Sequence, residues 1–122
     1  MSRASVYLVC NPETDQYKIG VTKNSIEKRL KQLQTGNGCE LHAVCVHESE
    51  YPYYIERMLH HELHSSNTVG EWFDLSDKEN FLQHFKDLCI KYEDIIVKMK
   101  DNPFFEKMAR IKRKMQEIHS LA

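Results

Sequence analysis

Apolar residues crowd two short stretches near the start of the chain, Val6, Tyr7, Leu8 and Val9, then Tyr17, Ile19 and Val21. Both stretches are rich in β-branched and aromatic residues, and Asn11, Pro12, Glu13 and Thr14 between them are turn formers. Residues 5–10 and 16–21 are therefore predicted to pair as a hairpin. The hydrophobic period then lengthens. Ile26, Leu30 and Leu33 fall at helical spacing after a cap at Asn24 or Ser25, with Glu27 available for a capping box and Gly36 as the stop. Residues 41–47 carry apolar side chains on both alternating faces, which suits a central strand covered on both sides. Residues 53–65 form the next predicted helix. After the loop 66–70, the block EWFDL reads as a short extended piece whose Trp72 and Phe73 enter the core.

From Ser76 the stepping changes. Ser76 and Glu79 stand at capping-box spacing, and Phe81, Phe85, Leu88, Tyr92, Ile95 and Met99 then alternate steps of four and three, a seam of coiled-coil type. Asn102-Pro103 interrupts it, because proline cannot continue a helix interior. Phe104, Met108, Ile111, Met115 and Ile118 repeat the stepping. These patterns predict an α+β core over residues 1–75 and a C-terminal helical pair over residues 76–122, packed on the core or joining two copies of the chain as a homodimer.

Composition narrows the setting. With 41% hydrophobic and 29% charged residues the chain reads as globular, and no apolar run approaches the roughly 20 residues of a membrane span. No basic-then-apolar leader opens the sequence. Cys10, Cys39, Cys45 and Cys89 lack the close pairs of a zinc site and the density of a disulfide scaffold. A reducing, cytoplasmic compartment is the expectation, or the nucleus if the host is eukaryotic. Cys39 and Cys45 are expected as buried apolar residues of the third strand.

The net charge of −1 hides an asymmetry: residues 1–75 carry 7 basic and 10 acidic side chains, a balance of −3, and residues 76–122 carry 10 and 8, a balance of +2. Within residues 98–114, seven basic side chains face two acidic ones, a balance of +5. Such a cluster suits either a solvated helix face or a track for a phosphate backbone.

One residue of the hairpin fits no core. Lys18 sits inside the second apolar run, sharing a strand face with Gly20, while Tyr17, Ile19 and Val21 face the other way. If the turn is residues 11–14, Tyr7 lies directly across from Lys18, and a phenol and an ammonium group share one patch.

The order of VYLV, YKIG, a helix carrying KRLKQLQTG, a helix carrying IERMLHHEL and then GEWF resembles the GIY-YIG nuclease superfamily, especially its compact branch from phages and large DNA viruses. The resemblance covers residues 6 to about 75. It implies a small three-stranded antiparallel sheet flanked by helices, and metal-dependent hydrolysis of phosphodiester bonds in DNA. Carried across, it makes Tyr7 the tyrosine of the first motif, Gly20 the glycine ending the second, Arg29 the helix arginine and Glu56 the metal-ligand glutamate. His60 matches a histidine frequent in the family's helix and joins the expected catalytic set by orienting a phosphate or a water. The second motif tyrosine is replaced by Lys18, a KIG form. Tyr17 and Gly20 are assigned to the nucleic-acid surface, with Lys107, Arg110, Arg113 and Lys114 of the tail as backbone contacts.

Elementary chemistry assigns roles to the same residues. Cutting a phosphodiester requires a deprotonated water, stabilisation of a more negative phosphate and neutralisation of the leaving oxygen. Glu56 suits a magnesium or manganese ion that keeps most of its ligands as water and substrate oxygens. Arg29, at the flank of its helix's apolar stripe, suits bidentate contact with a phosphate. A free phenol, with a pKa of about 10, is protonated at neutral pH, so Tyr7 as a base requires a cation beside it. Lys18 would serve by favouring the phenolate or by touching phosphate itself. Two other classes remain open: a nucleic-acid-binding module of the same fold with weak or lost catalysis, and a zinc-binding protein built on His60, His61 and His64. Against the latter, His61-Glu62-Leu63-His64 spaces its histidines three apart, so the HExxH pattern, with its Glu directly after the first His of an i, i+4 pair, is absent.

Overall fold

The computed structural model describes residues 3–35 and 38–100. Its elements run β1 (Ala4–Asn11), β2 (Gln16–Thr22), α1 (Ile26–Gln34), β3 (His42–Ser49), α2 (Pro52–Glu62), a single 3-10 turn (His64–Ser66), β4 (Trp72–Asp74), α3 (Glu79–Gln83) and α4 (Phe85–Lys100). The fold is α+β, as expected, with one antiparallel sheet of four strands in the order β3-β1-β2-β4. The fourth strand is the EWFDL piece, which pairs with β2 from Gln16↔Asp74 to Lys18↔Trp72.

β1 is the centre of the molecule. Val6, Tyr7, Leu8 and Val9 are all fully buried, because helices cover both sheet faces. Val6, Leu8 and Ile19 face α2 and α4, packing with Ile55, Leu59, Leu63, Phe85, Cys89 and Ile96. Tyr7 and Val9 face the other way, with Leu41, Ile26, Leu30, Leu33 and Trp72 around them. Each large apolar side chain removed from water in this way contributes roughly 1.5–3 kcal/mol.

The strand expected at the centre is instead an edge. β3 pairs only with β1, and His42, Ala43 and Val44 are exposed. Apolar residues occur on both of its faces because Cys45 and Val46 pack into the two opposite clusters, a pattern that periodicity cannot distinguish from a central strand. Cys39 lies ahead of this strand in a loop. Its thiol donates to Glu13 Oε2 at 2.9 Å, and that hydrogen bond holds its pKa above the ordinary value.

The hairpin register also differs from expectation. Asn11 pairs with Gln16 and Tyr7 with Gly20, while Lys18 lies across from Val9. The loop is residues 12–15, closed by Thr14 N–H to the Asn11 carbonyl and by Glu13 N–H to Asn11 Oδ1. Asp15 takes the left-handed conformation at φ 54°, which a short polar side chain tolerates. The slip is two residues. Side-chain period in a strand is two, so Tyr7 and Lys18 still share a face and become diagonal neighbours.

Two caps form differently from the sequence reading. Ser25 caps α1 by accepting from Lys28 N–H, which leaves Glu27 as a first-turn acid beside the helix dipole rather than a capping-box partner. Ser76 is drawn back to Asp74, donating its hydroxyl and its N–H to Asp74 Oδ1. No side chain caps α3, which ends after five residues. α4 then buries Phe85, Cys89 and Ile96 and leaves Met99 exposed, so its inward face differs from the predicted seam. Burial pushes the Cys89 thiol up to about 12. Lys86 donates to the Val46 carbonyl and Ser49 to Glu93, tying α4 to β3. No helix among the described residues is long and apolar enough to cross a membrane. Gly36 and the second tail helix expected from Phe104 onward lie outside the described residues.

Tyr7 packs directly over Gly20. A Cβ on Gly20 would stand 2.4 Å from the Tyr7 hydroxyl oxygen and 2.6 Å from Cζ, and Tyr7 has no free space to retreat into. Gly20→Ala is expected to destabilise the protein by roughly 1–3 kcal/mol, measured by urea unfolding. The loss should shrink when Tyr7 is also replaced by Ala.

Candidate functional site

The shape of the site begins with that glycine. Because Gly20 has no side chain, the Tyr7 ring reaches across β2 on the face covered by α1, and its hydroxyl comes within reach of the helix. Arg29, one turn into α1, donates from Nε to the Tyr7 hydroxyl at 3.3 Å and from Nη1 to Gln32 at 3.3 Å. Its guanidinium carbon stands 6.0 Å from the Tyr7 ring centroid. Ile26, Leu30 and Leu33 anchor α1 in the apolar cluster around Tyr7, which fixes Arg29 beside the phenol. Tyr7 is fully buried, so Arg29 covers the oxygen that it contacts.

The other half of the site lies where β4 stops. Pairing between β2 and β4 ends at Lys18↔Trp72, so β2 beyond Lys18 has no strand on its outer side. α2 closes part of this opening: His60 Nε2–H donates to the Ile19 carbonyl at 2.9 Å, and its ring packs edge-on against Phe73 at 4.9 Å. With Nε2 donating to the backbone, His60 ties α2 to the sheet. Glu56, one helical turn earlier on the same side of α2, is thereby held at the open edge.

Glu56 is half-buried, and its carboxyl titrates above the ordinary glutamate value. Burial is the main cause and the Glu71 carboxylate the second, while His60, Lys18 and Arg57 oppose them. Two carboxylates and one lysine thus share this edge. Lys18 is nearly buried along its stem and places Nζ 2.9 Å from Glu71 Oε2 and 5.6 Å from the Trp72 ring centroid. Gly20 and Trp72 connect the two halves: Gly20 carries the Tyr7 ring, and Trp72 packs in the Tyr7 cluster while lying under Lys18.

Tyr7, Lys18, Gly20 and Arg29 therefore share one face of the sheet, and Glu56, on the helix that covers the other face, comes near Lys18 at the open edge of β2. Tyr17 does not join them. Its ring packs on the opposite face with the α2 core, as strand alternation requires, and burial together with a hydrogen bond to Cys10 keeps its phenol protonated further up the pH scale. Lys107, Arg110, Arg113 and Lys114 lie outside the described residues. His61 and His64 form a stacked pair on exposed helix surface, 6.3 Å between centroids. Glu71 was missing from the sequence reading. Its signal is the placement of an acid between a turn glycine and the first residue of a strand that pairs with the one lysine of the sheet.

Could this edge take a divalent cation? Among the described residues no three His, Cys, Asp or Glu side chains are grouped to cage one. The donor set fits an ion that keeps most of its coordination as water, with Glu56 as protein ligand, because a cation there would relieve the repulsion between Glu56 and Glu71.

The raised carboxyl carries a sign. A Glu whose folded-state pKa exceeds its unfolded value favours folding when protonated, so the ionised Glu56 destabilises the fold above that pKa and has no such effect below about pH 4. Glu56→Gln is expected to raise the thermal midpoint at pH 8, with the gain fading as the pH falls towards 4, read by circular dichroism melts across that range.

No curated protein and no solved structure matches the chain. Residues 4–90, from the first residue of β1 into α4, match the T5orf172 domain, a phage-associated domain found in the context of endonucleases. The match takes in Tyr7, Lys18, Gly20, Arg29, Glu56 and Glu71, and the chain belongs to the T5orf172 domain family.

Proposed function

We propose that this protein is a metal-dependent endonuclease of the GIY-YIG kind that nicks or cuts DNA. The observation that carries this reading is the Tyr7–Arg29 hydrogen bond over Gly20, with the Glu56 carboxylate at the open edge of the same strand. A phenol and a guanidinium on one face of a short sheet, with a carboxylate at its open edge, are the groups that phosphodiester hydrolysis calls for.

In this reading Arg29 has two partners in turn. Without substrate its guanidinium rests on the Tyr7 oxygen. A phosphate, with full negative charge and two oxygens to meet the planar guanidinium fork, competes for the same donors and draws Arg29 away. That exchange uncovers the phenol next to the phosphate, and the positive charge of Arg29 nearby favours loss of its proton to solvent water. Tyr7 then accepts a proton from the attacking water, and Arg29 stabilises the charge added to the phosphate. A magnesium or manganese ion held by Glu56 would supply Lewis-acid stabilisation of the phosphate and leaving oxygen. The basic tail supplies sequence-tolerant backbone contacts.

A binding module without turnover is the second reading. It is favoured by the complete burial of the Tyr7 hydroxyl and by Lys18 standing in place of a second tyrosine.

Supercoiled plasmid separates the two. Nicking is expected with magnesium and not with EDTA, and Tyr7→Phe, Arg29→Ala and Glu56→Gln should each slow it by about 100-fold or more while folding is retained. Cleavage by Tyr7→Phe and Glu56→Gln at the parent rate contradicts the assignment. Plasmid binding without any cleavage transfers the case to the second reading. Replacing Lys107, Arg110, Arg113 and Lys114 together with Ala should lower the slope of log affinity against log salt by up to about 4, measured by anisotropy with the metal chelated. An unchanged slope removes the tail from the interface.

A further inference from the structure

We propose that Glu71 occupies a phosphate subsite: in the nucleic-acid-free protein its carboxylate sits on Lys18 where a backbone phosphate of the substrate binds, so that binding exchanges one oxyanion for another. The proposal rests on the nuclease reading for its ligand and deepens it by giving Lys18 and Glu71 distinct roles.

The two partners are unequal. Lys18 has a side chain only 13% exposed, whereas that of Glu71 is 45% exposed. The lysine stem is walled in by the sheet, and its ammonium is held at the surface over the Trp72 ring. Its head is therefore fixed in place before any ligand arrives. Glu71 is the outer partner and has solvent to move into. A fixed cation with a displaceable anion is the arrangement of an anion site that carries its own temporary occupant.

The chain around Glu71 is built to present it there. Trp72 N–H donates to the Val69 carbonyl at 2.9 Å, closing a four-residue turn with Gly70 at φ 58°, a conformation that glycine adopts without cost. Asn67 Nδ2 donates to the carbonyls of both Gly70 and Trp72, at 2.7 and 3.0 Å. The backbone on either side of Glu71 is thus tied to one side chain, which leaves its own side chain as the part free to swing. The pinned turn sets the carboxylate against the lysine, and Trp72 immediately afterwards begins β4.

Lys18 lies diagonally from Tyr7 on one face, so a phosphate on Lys18 would sit next to the row that carries Tyr7, Gly20 and Arg29. This favours direct phosphate contact, of the two roles open to Lys18, over tuning of the phenol. Glu71 is then a positioning residue whose charge holds the subsite closed to weaker anions.

The test measures binding without hydrolysis. Anisotropy of a fluorescein-labelled duplex oligonucleotide in EDTA, at one fixed low salt concentration, compares the parent chain with Glu71→Gln, Lys18→Met and the double variant, each checked for folding by circular dichroism. Glu71→Gln is expected to bind about fivefold tighter, the upper end of what one exposed ion pair is worth. In the Lys18→Met background the same change should give no gain. The inference is overturned if Glu71→Gln binds no tighter, if the gain persists without Lys18, or if none of the four binds. Plasmid cleavage by the parent chain is scored separately, so tighter binding without cleavage removes the nuclease reading alone, and cleavage without the Glu71 effect removes this inference alone.

Discussion

The Tyr7 ring resting on Gly20 is the contact from which the rest of the site follows. Any side chain at position 20 would occupy the place of the phenol, so the central strand and its neighbour can approach in this register only with a hydrogen there. The ring is then fixed in the apolar layer beneath α1. Arg29 reaches its oxygen because Ile26, Leu30 and Leu33 dock that helix on the same layer. Packing and chemistry are here one arrangement: the residue that fills the core between sheet and helix is also the one offered to the site.

The opposite edge is organised by charge rather than by packing. β4 is only three residues long, and its end at Trp72 exposes the flank of β2 to α2. His60 spends its Nε2 proton on the Ile19 carbonyl, a backbone group that a longer β4 would have satisfied. Glu56 is held nearby with part of its solvation removed and a second carboxylate facing it. Such a group destabilises the fold in its ionised form, and strain of this kind is usual where a protein keeps a charge ready for a ligand. Lys18 compensates on the Glu71 side without reaching neutrality for the pair.

Much of this was legible from pattern alone. The hairpin, both core helices and the α+β class follow from strand and helix periods, since each element buries one strong apolar face. The register was misread by two residues because the left-handed turn at Asp15 cannot be seen in composition, yet the period of two kept Tyr7 and Lys18 on one face. β3 was misplaced to the centre because an edge strand with helices on both sides carries the same alternation as an inner one. Ser76 matched a capping box by spacing, but Asp74, two residues away, competes for its hydroxyl and its N–H. The pairing of Lys18 with Glu71 was not visible, because the two meet through strand pairing 53 positions apart in sequence.

One measurement addresses directly whether these two halves form a single metal-bearing site. Manganese added to isotope-labelled protein broadens amide signals near the ion and leaves distant ones sharp. Broadening confined to the amides of Lys18, Gly20, Glu56 and Glu71, with β3 and the outer face of α4 untouched, is the expected result. Broadening centred on His61 and His64, or none anywhere at saturating manganese, would contradict it.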